Sequence, residues 1–378
     1  MDPIVILGAG LAGYSVIREF RKLDPVAPVV LVTADDGDFY AKPMLSNAFA
    51  QGKTPAQLVT TPAGQMAQQL DFELLRRTSV GRIRLGDRTI ETLQGERRYG
   101  KLVLALGADP IRLPLGGDAA GDVLSVNDLS DYAAFRSRLD GLGRVAILGA
   151  GLIGCEFAND LAGAGYRVTV IDPSPYPLAS LLPEPAGREL IGPLAGIGVE
   201  WAFGRAVRAV DRAAEGFRLT LDDDSRIDAD LVLSAVGLRP RTTLAREAGL
   251  AVNRGIMVDR RLQTGDPHVY ALGDCAEVDG QVRPYVLPIM HAARALARTL
   301  AGEPTEVVFP AMPVVVKTPA CPVAVQPVAR DAAGQWQVEA AGDGVKMSFS
   351  DPDRRLLGFA LTGAKVGERL TMTKLLAG

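Results

Sequence analysis

The sequence contains little histidine and little cysteine. Among its 378 residues the two histidines are His268 and His291, so a histidine-rich metal site is excluded. The three cysteines, Cys155, Cys275 and Cys321, form no CxxC or CxxxxC pair. This spacing argues against a disulfide framework, a zinc ribbon, an iron–sulfur centre and a dithiol redox relay. We predict no metal ligands and three small buried thiols.

Long apolar runs and an excess of charge are also missing. No stretch of about 18 uninterrupted apolar residues occurs, and the N-terminus enters a strand at Ile4 without a charged leader. The formal net charge of −3 gives no hint of a nucleic-acid partner. We therefore expect a cytoplasmic protein that neither binds nucleic acid nor inserts into a membrane. We also expect a monomer or a weak dimer.

Glycine is plentiful, and it follows short apolar runs at two matching places. The stretches "IVILGAGLAG" (residues 4–13) and "VAILGAGLIG" (145–154) each predict a strand, a G-x-G-x-x-G turn and a helix. The first glycine makes a tight turn, the second lets backbone amides approach a pyrophosphate, and the third lets the helix pack on the strand. The helix N-terminus then faces the phosphates with its partial positive charge. Two such motifs predict two dinucleotides, and FAD with a nicotinamide nucleotide is the natural pair.

An acidic residue is expected about 20 residues after each motif, where it accepts hydrogen bonds from ribose hydroxyls. The second motif is followed by Asp172 at the end of "VTVID". The first is followed by "LVTADD", which places Thr33 and Ala34 near the expected position and Asp35 just beyond it. We predict that Asp172 favours NADH over NADPH, because its charge repels a 2′-phosphate.

The order of the patterns predicts an α/β protein with two Rossmann-like dinucleotide-binding domains and a small C-terminal α+β domain. The length and the apolar content of 48% allow two or three sizeable cores. From about residue 303 the pattern changes to short antiparallel strands and a closing helix. We predict four segments, at 1–112, 113–241, 242–312 and 313–378, of which the first two each begin with or contain one glycine motif and the last is the C-terminal domain.

Four landmarks in the same order carry a family resemblance: "VILGAGLAG", "LVLALGA", "VAILGAGLIGCE" and "VYALGDCAEV". With them the chain resembles the pyridine-nucleotide:disulfide oxidoreductase superfamily, of glutathione-reductase-like fold. "ADDGDFYAKPMLSNAF", "SAVGLRPRTTLAREAGLAVNRGI" and "MPVVVKTPACPV" narrow the resemblance to the rubredoxin reductases, over the whole length. The resemblance implies that the first motif binds FAD and the second binds NADH. It therefore implies an FAD-binding domain at 1–112 that resumes at 242–312, and an NADH-binding domain at 113–241.

The resemblance and the motifs together mark the site residues. Lys42, Glu156 and Lys317 are the predicted catalytic group, and all three also count as cofactor contacts. The other predicted FAD contacts are Gly8, Ala9, Gly10, Leu11, Ala12, Gly13, Thr33, Ala34, Asp35, Pro43, Val80, Ala105, Gly107, Gly273, Asp274 and Val286. The predicted NADH contacts are Gly149, Gly151, Leu152, Ile153, Gly154, Asp172 and Gly237. "LALGA" departs from the commoner "LATGA" of the family, which leaves the role of Leu106 open.

Four charged residues of this set also have a simpler alternative role. Lys42 and Lys317 are expected to stabilise anionic reduced flavin, and the alternative is a solvated surface lysine. Glu156 is expected where nicotinamide meets flavin, and the alternative is a carboxylate that interacts with the helix dipole. The resemblance implies that Asp274 contacts the ribityl chain of the flavin, and the alternative is a helix N-cap.

Hydride transfer from nicotinamide to flavin requires stacked rings and a stabilised charge, but no acid, base or nucleophile. Without a dithiol, electrons must leave the flavin directly for a one-electron acceptor. The resemblance implies that this acceptor is rubredoxin, in a chain that serves for example an alkane hydroxylase. We therefore predict an NADH-dependent flavoprotein reductase of the rubredoxin–NAD+ reductase type.

Other acceptors and functions stay open at this point. Flavorubredoxin or a ferredoxin is the nearest alternative acceptor. A type II NADH:quinone reductase would need an apolar C-terminal helix facing a membrane, for which "AKVGERLTMTKLLAG" is short and mixed. A signalling flavoprotein that binds NADH and dimerises is a third alternative. For docking an acidic partner, we predict the basic face formed by His291, Arg294 and Arg298, which are spaced i, i+3 and i+7.

Overall fold

The computed structural model describes residues 2–329 and 331–376. The chain divides into two compact units. The first unit consists of Met1–Ala41, Ala56–Asp109 and Leu238–Phe309, and the second of Lys42–Pro55, Pro110–Gly237 and Pro310–Gly378. The chain thus enters the second unit three times, first with the short segment Lys42–Pro55, which we call the insert. Sequence reasoning did not anticipate this assignment of the insert, and the predicted division into four segments stays a prediction.

The helices of the described residues are α1 (Leu11–Arg21), α2 (Pro55–Leu58), α3 (Ala63–Leu70), α4 (Leu129–Leu139), α5 (Leu152–Gly163), α6 (Glu184–Arg188), α7 (Ile191–Gly196), α8 (Thr243–Glu247), α9 (Val286–Leu300) and α10 (Arg369–Leu376). Shorter 3-10 turns cover Lys42–Asn47, Ala120–Asp122, Gly273–Cys275 and Gly363–Glu368.

The strands are β1 (Ile4–Leu7), β2 (Val29–Val32), β3 (Phe39–Tyr40), β4 (Val59–Thr61), β5 (Glu73–Leu75), β6 (Val80–Arg84), β7 (Thr89–Thr92), β8 (Gly95–Arg98), β9 (Lys101–Leu104), β10 (Ala108–Pro110), β11 (Arg144–Leu148), β12 (Arg167–Asp172), β13 (Val199–Phe203), β14 (Val207–Arg212), β15 (Phe217–Leu221), β16 (Arg226–Ala229), β17 (Leu231–Ser234), β18 (Leu238–Pro240), β19 (Ile256–Val258), β20 (Val269–Ala271), β21 (Ala276–Val278), β22 (Val314–Val316), β23 (Val323–Gln326), β24 (Gln335–Ala340), β25 (Lys346–Ser350) and β26 (Leu356–Thr362).

A parallel sheet in the order β20-β9-β1-β2-β5 forms the centre of the first unit. Every residue of β1 and β2 is buried, as expected for a parallel sheet that is covered on both faces. Alternate strand residues point to opposite faces. On one face Ile6 packs with Ile17 of α1 and Leu296 of α9, and on the other Val5 packs with Ile90 of the antiparallel sheet β6-β7-β8.

The second unit repeats the strand–turn–helix arrangement in the parallel sheet β13-β12-β11-β17. The antiparallel sheet β14-β15-β16 packs on it, with Val210 and Leu219 in one apolar cluster with Ala146 and Ile171. A third sheet, β22-β23-β26-β25-β24, is antiparallel and packs against Met372 of α10. The predicted fold class is confirmed: two Rossmann-like sheets and a C-terminal antiparallel sheet with a closing helix.

Two further structural findings concern the whole described chain. Cys155, Cys275 and Cys321 are free and buried, as predicted. None of the helices among residues 2–329 and 331–376 has the length and apolar character that a membrane crossing requires.

Candidate active site

The first glycine motif forms a turn that only glycine can make. Gly8 has a φ of +113°, and a Cβ there would collide with the carbonyl oxygen of Ala105. A Cβ on Gly13 would collide with the carbonyl oxygen of Gly8. At Gly10, by contrast, no atom lies within 4 Å of the position that a Cβ would take. Two of the glycines therefore serve the fold, and Gly10 borders open space at the start of α1.

The second motif repeats this arrangement in the second unit. Gly149 has a φ of +106°, and its Cβ would lie 2.7 Å from the carbonyl oxygen of Ala235. A Cβ on Gly154 would collide with the carbonyl oxygen of Gly149, whereas Gly151 has no atom within 4 Å of its Cβ position. Ala235 lies on the approach to Gly237, which has a φ of +114°.

The helices that follow both motifs are suited to bind phosphate. α1 and α5 begin after Gly10 and Gly151, with no side-chain cap and no acidic residue in the first turn. Their first N–H groups have no partner within the helix and face the space that the glycines leave open. The residues at both motifs therefore fit a dinucleotide pyrophosphate. Leu152 and Ile153 form the first turn of α5, as Leu11 and Ala12 do in α1.

The acidic residues after the two motifs are engaged differently. The Asp172 carboxylate accepts hydrogen bonds from the backbone N–H of Ala150, at 2.6 Å, and of Ser174, at 2.7 Å. It therefore ties the end of β12 to the second glycine turn and can still accept from a ribose. Asp35 instead accepts from the Thr33 hydroxyl, at 2.5 Å. Thr33 is buried and Ala34 is exposed. The residues after the first motif therefore offer a less clear hydrogen-bond acceptor for a ribose than Asp172 does after the second.

Two other predicted cofactor residues of the first unit, Ala105 and Gly273, lie beside its glycine motif. Ala105 touches the Gly8 turn, and a Cβ on Gly273 would lie 2.9 Å from the Cβ of Ala12. The remaining predicted residues here are Ala9, Gly107, Val80, Asp274 and Val286. Asp274 lies inside a 3-10 turn, whereas the N-cap of α9 is Tyr285, so the N-cap alternative for Asp274 is wrong for this helix. Val286 is the exposed first residue of α9, and Val80 begins β6.

In the second unit, Glu156 and Lys317 form an ion pair with a buried carboxylate. The Glu156 side chain is 1% exposed and the Lys317 side chain 34%. One carboxylate oxygen accepts the Lys317 backbone N–H at 2.8 Å, and the other accepts its ammonium at 2.9 Å. The Ser46 hydroxyl also donates to Glu156, and the Lys317 ammonium donates to the Pro43 carbonyl. The structure thus brings three of the predicted residues together, and neither charged residue matches its simpler alternative.

Lys42 lies on the same 3-10 turn as Pro43 and Ser46. Its ammonium donates to the Asn127 side-chain oxygen at 2.7 Å, and its side chain is half-buried. The surface-lysine alternative therefore does not describe Lys42 either. Ser46 and Asn127 were missed by sequence reasoning, because an isolated serine or asparagine in a loop carries no pattern.

A further missed group lies on α5. Asn159 accepts the backbone N–H of Ala320 at 3.0 Å. Asp160 accepts those of Phe49, at 2.8 Å, and Ala50, at 3.1 Å. Burial raises the pKa of the Asp160 carboxyl, although these two backbone hydrogen bonds oppose the shift. A signal did exist: besides Glu156, two consecutive polar residues interrupt the mostly apolar run "LIGCEFANDLAG".

Two glycine turns, each followed by a helix whose N-terminus has no side-chain cap, define an α/β oxidoreductase that uses two dinucleotides. The chain belongs to the pyridine nucleotide-disulphide oxidoreductase family, which it matches over residues 2–297. Residues 306–376 match a second family, described as the rubredoxin binding C-terminal domain. The predicted family is confirmed.

Similar proteins cover the chain almost completely. It is 50% identical over 375 residues to the rubredoxin-NAD(+) reductase of Alcanivorax borkumensis, covering 99% of this chain and 98% of the relative. It is 47% identical over 387 residues to the rubredoxin-NAD(+) reductase of Acinetobacter baylyi, covering 99% and 98%. Among solved structures, the ferredoxin reductase for the CYP199A2 system of Rhodopseudomonas palustris superposes with a TM-score of 0.89 at 25% identity, covering 98% of this chain and 93% of that one.

Proposed function

We propose that this enzyme transfers electrons from NADH through FAD to rubredoxin. The observation that carries the proposal is the combination of two dinucleotide turns with a C-terminal region that matches a rubredoxin-binding domain. The two relatives named above, similar over nearly their whole length, are rubredoxin reductases. FAD, when bound, accepts two electrons from NADH and can release them one at a time to an iron protein.

The chain's own residues bind and orient the two nucleotides. The N-terminus of α1 binds the FAD pyrophosphate and that of α5 binds the NADH pyrophosphate. Asp172 accepts the ribose hydroxyls of NADH while it holds the amide of Ala150. The predicted contacts at Thr33, Val80, Asp274 and the other site residues are part of this proposal.

Lys42, Glu156 and Lys317 supply the electrostatics of the site. Because Glu156 balances the charge of Lys317, this pair presents an oriented dipole rather than a net charge. The Lys42 ammonium donates to the side-chain oxygen of Asn127. We assign to Lys42 the stabilisation of anionic reduced flavin. We assign to Lys317 the role of a hydrogen-bond donor whose ammonium is held in a defined direction.

The three cysteines do not relay electrons from the flavin. The three cysteines are free and buried. Burial raises the pKa of Cys155 and of Cys321, and raises that of Cys275 to about 11. These thiols are neutral at physiological pH and are poor nucleophiles. Free thiols also support the predicted cytoplasmic location, where disulfides are rare.

Stopped-flow kinetics test the proposal. The enzyme, reduced by NADH without oxygen, is mixed with rubredoxin, a ferredoxin or a soluble quinone. We expect rubredoxin to reoxidise the flavin fastest, and a faster reaction with ferredoxin would change the assigned acceptor. The quinone alternative lacks a long apolar C-terminal helix within the described chain, since α10 covers only Arg369–Leu376.

A further inference from the structure

Three side chains on one face of α5 hold two distant segments of the second unit. Glu156, Asn159 and Asp160 are 1%, 7% and 4% exposed, and they are spaced i, i+3 and i+4. Glu156 and Asn159 bind the backbone at Lys317 and Ala320. α5 is also the helix that starts at the second glycine motif.

Asp160 binds the insert rather than the C-terminal region. Its two carboxylate oxygens each accept one backbone N–H, from Phe49 and from Ala50. Both oxygens are used by donors, so a carboxylate fits this position and an amide side chain does not. Burying an acid is costly even when two backbone amides donate to it, so the choice of a carboxylate at this position calls for an explanation beyond packing.

The insert has further anchors in the same unit, at Lys53 near its end and at the ring of Phe49. The Tyr132 hydroxyl donates to the Lys53 carbonyl at 3.0 Å. The Phe49 ring packs edge-on against Tyr166, and the Arg136 guanidinium lies 4.9 Å from its centre. These contacts hold the later part of the insert. The two amides bound by Asp160 lie just after the 3-10 turn Lys42–Asn47, separated from it by Ala48.

We propose that Asp160 is a positioning residue for the reaction: through the amides of Phe49 and Ala50 it sets where the turn Lys42–Asn47 lies against α5. That turn carries Lys42 and the two groups, Pro43 and Ser46, that bind the Lys317–Glu156 pair. α5 thereby connects the nucleotide-binding turn at one end with the placement of both lysines. Asp160 acts only through these segments. This inference rests on the proposed function where it concerns the reaction rate, and on the structure alone where it concerns the position of the turn.

The variant Asp160→Asn tests the proposal, because it removes one acceptor and turns an NH2 group toward an N–H donor. We expect faster amide hydrogen exchange in peptides containing Phe49 and Ala50, and unchanged exchange at Ala320. In single-turnover reduction of bound FAD by NADH, we expect a limiting rate per flavin that is about tenfold lower, since small misplacements of reacting groups are costly. The apparent Kd for NADH should not change.

Tyr132→Phe is the matched control, since it removes one hydrogen bond from the far end of the same insert. Hydrogen exchange at the Phe49 and Ala50 amides and the limiting rate of flavin reduction should both stay unchanged. If Asp160→Asn does not fold, Asp160→Glu keeps both acceptors but displaces them by one carbon, and the same changes are expected.

The proposal is overturned by an unchanged limiting rate per bound flavin despite faster exchange, or by unchanged exchange at both amides. A loss of thermal stability and FAD content with a normal rate per flavin would show a merely structural role, and would also overturn it. If NADH fails to reduce the parent enzyme, the proposed function fails. The exchange result then decides this inference by itself.

Discussion

Glu156 and Lys317 are 161 residues apart in sequence, and their carboxylate and ammonium lie 2.9 Å apart. The carboxylate is almost fully buried, and the ammonium is about one-third exposed. Such a pair contributes modestly as a whole, but removal of one partner leaves an uncompensated buried charge.

Lys317→Met should therefore lower the free energy of unfolding by about 2 kcal/mol, a value reduced for the partial exposure of the lysine. Glu156→Gln combined with Lys317→Met should cost less than the sum of the two single changes. Urea unfolding of the FAD-saturated enzyme measures these differences. The exposed pair Arg188–Glu184 is the control, and its removal should cost less than about 1 kcal/mol. If the free-energy losses of the two single variants simply add in the double variant, Glu156 and Lys317 do not stabilise each other and the prediction is wrong.

The two glycine turns should respond separately to substitution. Gly10→Glu and Gly151→Glu place a side chain where no protein atom lies within 4 Å, so both variants should fold. Gly10→Glu should lose FAD, and Gly151→Glu should keep FAD but lose NADH binding. Flavin absorbance and NADH titration check both results. Gly13→Ala should instead disrupt folding, since its Cβ collides with the backbone. Full flavin content in Gly10→Glu would show that the first turn is misassigned.

Asp172 should determine the preference for NADH. The parent enzyme should have a higher kcat/KM for NADH than for NADPH. Asp172→Ala should raise the KM for NADH about tenfold, because a hydrogen bond to a charged acceptor is lost. The ratio of kcat/KM for NADH to kcat/KM for NADPH should also fall toward one. Asp228→Ala, which removes an exposed partner of Arg218, is the control. Equal kcat/KM values in the parent would be evidence against this role.

The cysteines should not take part in electron transfer. Because burial raises the thiol pKa values, native enzyme should react slowly with a disulfide reagent such as DTNB and quickly after unfolding. Cys155→Ser, Cys275→Ser and Cys321→Ser should each keep most of the turnover per bound flavin. A hundredfold loss of turnover with normal flavin content would overturn this prediction.

The basic face of α9 provides a test of docking. Arg294 and Arg298 are exposed, and Arg298 pairs with Glu303 at 3.3 Å. Changing both arginines to glutamate should slow electron transfer to rubredoxin at low salt, and the difference should shrink as salt rises. Flavin reduction by NADH should not change. Residues 306–376, which match the rubredoxin-binding family, lie outside this helix. A normal low-salt rate would move the docking surface to that region.

The sequence alone determined the two glycine turns, the strands that lead into them and Asp172. These features depend on local geometry: glycine tolerates a φ near +110°, buried parallel strands are continuously apolar, and an acid at the end of the next strand reaches a ribose. The order of these features predicted the fold class, and the resemblance added the acceptor and the two lysines.

Only the tertiary structure showed that Lys317 pairs with Glu156, and that Asp160 and Ser46 belong to the same group of contacts. It also placed the insert Lys42–Pro55 in the second unit. These contacts join segments more than 100 residues apart, and each depends on where a helix face meets a loop backbone. Every residue except proline has the same backbone N–H group, so the sequence does not indicate which of them a side chain will bind. The choice of which amide a buried carboxylate binds is therefore made by packing.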